Sequence, residues 1–251
     1  MNKVITLLVV GLFLLIPANA QTDEVSSVTY DGSAYSFSFV WNKKESIRTH
    51  LPGLSFSFNN LNGLDDISNA NLNSSQSYSI ALGLGGFNAR IADHWVFGIG
   101  ARLDFARYHF KGNVGLREIV DPSGSYFTTF VDDPEGRTYK SSKLILYYVT
   151  IPVVLEYQCK VNGSNRFWIN GGVEGLVKYY SKSQVDIKET GHVKKQSLGH
   201  DLNINPISAR LVFNIGFDKY GLTAFYQPIS LFKSDRGPDL YPWGIGFAVG
   251  F

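Results

Sequence analysis

The last eleven residues of the chain, Tyr241 to Phe251, alternate strictly between large apolar and small side chains. Odd positions hold Tyr, Trp, Ile, Phe, Val and Phe, whereas even positions hold Pro, Gly, Gly, Ala and Gly. A period of two predicts a β-strand with two different faces. The large face suits hydrocarbon, and the small face suits a narrow barrel interior. A central strand of a soluble β-sandwich is the alternative interpretation of this pattern.

The same alternation recurs upstream and predicts seven further strands, which begin at Leu51. They centre on Phe56, Ile80, Ile99, Ile151, Val173 and Phe213, and on the run Leu222 to Phe232, whose facing is ambiguous. In the second of these strands the phase shifts at Gly85-Gly86, and paired glycines at a phase shift predict a bulge or a sharp bend.

The connections between the predicted strands alternate between long and short. The long connections are 60–75, 111–141, 181–203 and 233–240, and the short ones are 92–94, 159–165 and 218–221. Outer-membrane barrels show this alternation, with long loops outside and short turns in the periplasm, whereas a soluble sandwich has no reason to sort its loops. The pattern therefore predicts an all-β, antiparallel, up-and-down transmembrane β-barrel of eight strands in residues 51–251. Within the second long connection, Tyr126 to Val131 predicts part of a small hairpin above the barrel.

The N-terminus carries an export signal. Lys3, an apolar run from Val4 to Ile16 and the segment Ala18-Asn19-Ala20 predict a secretory signal peptide over residues 1–20. Residues 21–50 are interpreted as an N-terminal lead-in segment. The alternating run Tyr35 to Trp41 leaves two alternatives open, an additional barrel strand or an arm that fills the lumen, and an additional strand would require ten strands for an even count.

Composition agrees with an exported barrel. Aromatic residues make up 14% of the chain, which suits a barrel with two aromatic girdles. Removal of the signal peptide removes one basic residue from a formal net charge of +2, so the mature charge is +1. This balance favours neither a nucleic acid nor a strongly charged partner. The single cysteine, Cys159, cannot form an internal disulfide. The expected location is the outer membrane of a Gram-negative-type bacterium, with outer-membrane lipid around the barrel.

Two segments carry a family resemblance. The runs Tyr147 to Tyr157 (YYVTIPVVLEY) and Gly237 to Gly246 (GPDLYPWGIG) resemble the PorT-like outer-membrane β-barrel family, and the resemblance covers residues 50 to 251. It implies a barrel with structural motifs and no catalytic signature. Some relatives serve protein secretion, so the resemblance implies an envelope or secretion protein as a partner.

Strand parity places a set of charged residues on the inner face of the predicted barrel. They are Arg102, Asp104, Glu156, Glu174, Lys178 and Arg210. Both signs are present, and buried charges must be paired, so we expect a polar network that plugs and stiffens the lumen. The alternative is a narrow polar path or a small-solute site.

Catalysis finds no support in the motifs, and no cofactor is expected. The parity of His109 places it on the lipid-facing side, and His192 and His200 are eight residues apart in a predicted loop, which is weak spacing for a metal site. The tryptophans and tyrosines near predicted strand ends are interpreted as interfacial girdles. They are Trp95, Trp168, Trp243, Tyr157, Tyr179 and Tyr241. The sequence thus predicts a non-enzymatic barrel with a structural or accessory role in envelope or secretion assembly.

Overall fold

The computed structural model describes residues 28–30, 35–37, 49–65, 67, 70–120, 124–133, 135–162, 165–189 and 192–250. The strands in these residues are β1 (Val28–Tyr30), β2 (Tyr35–Phe37), β3 (Pro52–Asn62), β4 (Asn71–Leu72), β5 (Tyr78–Ala92), β6 (Trp95–Lys111), β7 (Val114–Val120), β8 (Tyr126–Asp132), β9 (Tyr139–Asn162), β10 (Asn165–Glu189), β11 (His192–His200), β12 (Ile207–Phe217), β13 (Tyr220–Tyr226) and β14 (Tyr241–Gly250). A 3-10 turn spans Ser74–Gln76. The predicted signal peptide and most of the lead-in lie outside the described residues.

Eight strands close into a ring. The order is β3-β5-β6-β9-β10-β12-β13-β14, and β14 returns to β3 with Phe247 opposite Phe56. Every pair is antiparallel. The eight-stranded antiparallel barrel predicted from the sequence is therefore confirmed. β1 and β2 pair only with each other, so Tyr35–Phe37 adds no strand to this ring.

The barrel has two different ends. Short turns join β5 to β6, β9 to β10 and β12 to β13, and we call this the short-turn end. The other connections lie at the long-loop end, where a hairpin of β7 and β8 confirms the small hairpin predicted above the barrel. In the described part of the chain, no helix is long and apolar enough to cross a membrane.

The prediction of a loop over 181–203 was wrong. β10 continues to Glu189, and β11 pairs back along it from His192 to His200. The physical reason lies in Val185 and Ile187, which are fully buried against Tyr139 and Leu198. These alternating apolar residues give the extension beyond the barrel a small core of its own. The predicted seventh strand was too long, since β13 ends at Tyr226.

The bulge predicted in the second barrel strand is present. The register of β5 against β6 shifts between Gly83 and Gly85, and Gly85 has a φ of +128°. Side chains with a Cβ rarely adopt this conformation, so the bulge requires glycine. The sequence pattern located this irregularity within two residues.

The two faces of the wall differ as the alternation predicts. In β14, Ile245 and Phe247 are exposed on the outer face, whereas the small residues between and beside them are buried. At Gly246, an added Cβ would lie 2.0 Å from the backbone oxygen of Phe56, so only glycine allows β3 and β14 to approach this closely.

An apolar core fills the long-loop half of the barrel interior. It combines inward residues of the wall with residues of the loops above. The wall contributes Leu61, Ala106, Tyr108, Phe110, Leu144, Leu146, Tyr148 and Leu176, and the loops and hairpin contribute Leu64, Ala70, Val114, Leu116, Leu202, Ile204, Leu231, Phe232 and Leu240. We call this cluster the apolar seal.

Candidate functional site

Four of the predicted lumen residues form a compact charged quartet. Arg102 and Asp104 come from β6, Glu174 from β10 and Arg210 from β12, and each is at most 8% exposed. Arg102 Nη1 donates to Glu174 Oε1 at 2.7 Å. Arg210 Nε donates to Glu174 Oε2 at 2.5 Å, and its Nη2 donates to Asp104 Oδ2 at 2.5 Å. Two guanidinium groups and two carboxylates thus balance each other across the interior.

Neutral groups add further hydrogen bonds to the quartet, although Arg102 Nε has no partner among the described residues. Thr150 Oγ1 donates to Asp104 Oδ2 at 2.7 Å, and Arg102 Nη2 donates to Ser55 Oγ at 3.2 Å. The Arg210 guanidinium carbon lies 4.8 Å from the ring centroid of Phe225, a cation–π contact. Buried charges are tolerated when they are paired and hydrogen-bonded in this way.

Glu156 lies in a second polar cluster, closer to the short-turn end. Its side chain is fully buried and accepts hydrogen bonds from Asn170 Nδ2 at 2.8 Å and from Gln158 Nε2 at 2.5 Å. The backbone N–H of His50 donates to Glu156 Oε2 at 2.9 Å, and the His50 ring Nδ1 lies 2.7 Å from Oε1. The end of the lead-in segment is therefore anchored inside the barrel mouth, a role that the sequence pattern did not predict.

Trp168 supports the same anchor, and its prediction as a girdle residue was wrong. Its side chain is 1% exposed and stacks on the His50 ring, with ring centroids 4.8 Å apart and an interplanar angle of 3°. Its indole N–H donates to the backbone oxygen of Asp218 at 2.7 Å. The space for the ring exists because Gly216 and Gly221 face it, where an added Cβ would lie 2.3 and 2.5 Å from ring atoms. The sequence pattern places Phe167 on the outer face of its strand, so the alternation places the neighbouring Trp168 on the inner face. This parity was the signal for an inward side chain.

Lys178 does not join either polar cluster. Its ammonium group pairs with the carboxylate of Asp201, in the connection between β11 and β12, and donates to the backbone oxygen of Ile204 at 3.2 Å. A bulge between Lys178 and Tyr180 changes the phase of β10 at this height. The inward set predicted from the sequence is thus divided into a quartet, the Glu156 cluster and a rim pair.

The interior leaves little space at the level of the quartet. The cavity there has a volume of about 10 Å³ and is bordered by Ser55, Ser57, Ser79 and the quartet itself. That volume is close to the minimum that holds one water molecule. Above the quartet lies the apolar seal, with Tyr108 and Tyr148 fully inside it. Chemically, this arrangement stabilises the wall, and the described residues leave a polar space of only this size at the level of the quartet.

The histidines considered for chemistry lie elsewhere. His192 and His200 are at the two ends of β11, about 26 Å apart for eight strand intervals. His109 has the outward parity that the sequence predicts, but its side chain is only 9% exposed, so lipid does not surround it. It lies on the outer face of β6 near the long-loop end, where the extended β9 and β10 and the 3-10 turn cover it.

Sequence comparison identifies the family. The family model described as outer membrane protein beta-barrel domain matches residues 35–234. The chain belongs to this family. No curated protein and no solved structure matches the chain. The match begins at residue 35, so it includes the lead-in residues next to His50.

Membership in this family places the protein in the outer membrane and orients it. In outer-membrane barrels short turns face the periplasm and long loops face the exterior. The short-turn end is therefore periplasmic, and the long-loop end is extracellular. The His50 anchor lies at the periplasmic mouth, and the apolar seal closes the extracellular half.

Two belts of aromatic residues mark the membrane boundaries. Near the extracellular side, Tyr78, Phe105, Tyr147 and Tyr179 form a chain of neighbouring rings with centroids 5.1 to 6.0 Å apart. Near the periplasmic side, Trp95 packs edge-on against Tyr157 at 5.3 Å. Amphipathic rings favour these interfacial positions.

Proposed function

We propose that this protein is a closed outer-membrane scaffold with an accessory role in envelope or secretion assembly. The observation that carries the proposal is the apolar seal above the charged quartet. An apolar layer of fully buried residues, including Leu144, Leu146 and Phe232, opposes the passage of ions and polar solutes. The lumen then serves stability, and the surfaces outside the membrane serve function.

The β7–β8 hairpin at the extracellular end supports a role in binding another protein. The β7–β8 hairpin exposes Ile119, Val120 and Tyr126, of which Val120 and Tyr126 are 59% and 57% exposed. These residues lie beyond the aromatic belt, so lipid does not cover them. A cluster of exposed large apolar side chains outside the membrane favours a protein partner. The resemblance to the PorT-like family supports a partner from the envelope or secretion machinery.

The hairpin is held rigidly enough to present these residues. Arg137 donates from Nε and Nη2 to the Asp133 carboxylate at 2.9 and 3.0 Å, and the Tyr139 hydroxyl donates to it at 3.0 Å. The side-chain hydrogen bonds from Arg137 hold the pKa of Asp133 well below its usual range, so this carboxylate stays charged. Within β8, the Thr128 N–H donates to the Arg236 backbone oxygen at 2.8 Å.

Planar-bilayer conductance of the refolded mature protein tests the closed scaffold. Heat-modifiable gel mobility first establishes that the barrel is folded. We expect no steady conductance from the folded protein. We expect none either from a variant in which Arg102, Asp104, Glu174 and Arg210 are all replaced by serine and which still folds, because the apolar seal remains. Steady conductance of the unsubstituted protein would overturn the proposal and favour a narrow pore.

A further inference from the structure

A cleft on the outer wall of the barrel concentrates positive charge. It has a volume of about 630 Å³ and lies between β6, β9, β10 and the 3-10 turn. Its basic lining residues are Arg107, His109, Lys111, Lys140 and Lys143. We call it the cationic cleft. On β6, Arg107, His109 and Lys111 alternate with Tyr108 and Phe110 of the apolar seal, so these three basic side chains lie on the outer face of the wall, while Phe110 also borders the cleft.

One polar side chain in the cleft is buried without a partner. His109 is 9% exposed, and both of its ring nitrogens lack hydrogen-bond partners among the described residues. The Nε of Arg107 is also buried and also lacks a hydrogen-bond partner among the described residues. Native structures rarely leave a buried donor unpaired, because such a group has lost its hydrogen bonds to water without replacing them. A bound ligand that accepts hydrogen bonds supplies that reason.

The charge of the lining favours an anion as the ligand. Asp186 is the only carboxylate among the described residues that line the cleft. It is already occupied, because its Oδ2 accepts from Lys143 Nζ at 2.5 Å and from Ser141 Oγ at 3.1 Å. In the described part of the chain, Arg107, Lys111 and Lys140 have no ion pair. Three cations and two unpartnered ring nitrogens therefore face one shared space.

The height of the cleft in the membrane indicates where the anion comes from. The Arg107 guanidinium carbon lies 5.7 Å from the ring centroid of Tyr78, which belongs to the extracellular aromatic belt. His109 follows Phe105, another residue of this belt, by four positions on β6. At about 3.3 Å per residue along a tilted strand, His109 lies roughly 10 Å beyond the belt. The headgroup layer begins near the belt and is roughly 5–8 Å thick, so it includes Arg107 and reaches the near side of the cleft.

We propose that the cationic cleft binds the phosphate of a lipid headgroup in the outer leaflet. Arg107 and His109 lie closest to the belt, and their side-chain nitrogens would donate hydrogen bonds to the phosphate oxygens. Lys111 and Lys140 would contribute positive charge from the rim. The acyl chains would follow the apolar wall below, past Tyr78 and Phe105. The inference does not depend on the proposed scaffold role, since conductance and lipid binding are measured separately.

Native mass spectrometry of the folded mature protein in a non-ionic detergent tests the proposal. Phosphatidic acid, which carries a phosphomonoester, is titrated against phosphatidylcholine as the zwitterionic comparison. We expect preferential retention of phosphatidic acid. In the variant Lys111→Gln/Lys140→Gln we expect its apparent Kd to rise on the order of tenfold or more, because each cation near an anionic lipid contributes about 1 kcal/mol.

Matched variants separate the cleft from general surface charge. The control variant Lys188→Gln/Lys233→Gln also removes two positive charges, but from exposed positions at the extracellular end that do not line the cleft. It should leave binding unchanged. A second cleft variant, His109→Leu, should also weaken binding. Because the imidazole ring is neutral, this substitution removes its hydrogen bonds and leaves the net charge of the protein unchanged. Equal retention of both lipids, or equal loss in cleft and control variants, would overturn the proposal. If inorganic phosphate displaced phosphatidic acid at equal concentration, the site would take free phosphate, and the assignment to lipid would be wrong.

Discussion

At the residue scale, the barrel interior holds a small number of buried charges that pair with one another. Glu174 accepts from both arginines of the quartet, and Asp104 accepts from Arg210 and from Thr150. Removing one member leaves the opposite charge buried without compensation, which costs more than the pair itself contributes. The quartet is therefore sensitive to single substitutions and less sensitive to substitutions that keep its charge balanced.

We predict that Glu174→Gln lowers the free energy of unfolding by about 3–5 kcal/mol, because two arginines then share one carboxylate. The double variant Arg102→Met/Glu174→Met keeps the Asp104–Arg210 pair and a net charge of zero, so it should cost less than the sum of its single substitutions. Urea unfolding in lipid vesicles measures both. Asp93→Asn, in the exposed Arg90–Asp93 pair of a periplasmic turn, is the control and should have little effect. Additive single effects would contradict the model of a coupled quartet.

At the scale of elements, the wall combines a regular alternation with local irregularities in some of its strands. β5 contains the bulge at Gly83 and Gly85, and β10 contains a bulge between Lys178 and Tyr180. Bulges increase local twist and redirect side chains. Lys178 precedes the bulge of β10 and is in register with the inward Tyr148, so parity places it on the same face as Glu174, but its position four residues further along the strand brings it to Asp201 instead of the quartet.

Gly85→Ala should lower the free energy of unfolding by about 1–3 kcal/mol, because its φ of +128° is strained for any residue with a Cβ. Gly175→Ala is the matched control. An added Cβ there meets nothing within 4 Å and the backbone is not in the left-handed region, so its effect should stay within about 0.5 kcal/mol. The same vesicle unfolding experiment measures both variants. Equal effects would mean that the bulge does not require glycine.

The alternation also determines how much the sequence could predict. It predicted the ring of eight strands, the alternating loops and the inward position of the quartet, because each wall residue faces either lipid or lumen. It did not predict the apolar seal, although Leu144 to Val149 is apolar on both faces, a pattern typical of strands buried on both sides. The His50 anchor and the cationic cleft were missed because they join residues distant in the chain, such as His50 with Glu156 and Lys111 with Lys143.

At the scale of the whole molecule, the two ends of the barrel present different surfaces. The periplasmic end consists of tight turns and the His50 anchor. The extracellular end continues the wall well beyond the aromatic belt, with β9 and β10 of 24 and 25 residues. For the protein partner that we propose, the exposed side chains of the β7–β8 hairpin, Ile119, Val120 and Tyr126, are the candidate contact surface at this end.

Site-specific photo-crosslinking tests this division between the two ends. Tyr126 and Tyr220 are tyrosines of similar exposure, 57% and 64%, at the extracellular hairpin and at the periplasmic turn. We predict that a photoreactive residue in place of Tyr126 gives a discrete protein adduct upon irradiation of cells that carry the native envelope, and that the same substitution at Tyr220 does not. Heat-modifiable mobility verifies that both variants fold. The physical reason is that Tyr220 lies next to lipid at the membrane boundary, whereas Tyr126 lies beside Ile119 and Val120 outside it. Adducts of equal yield at both positions, or an adduct at Tyr220 alone, would place the partner at the periplasmic end instead.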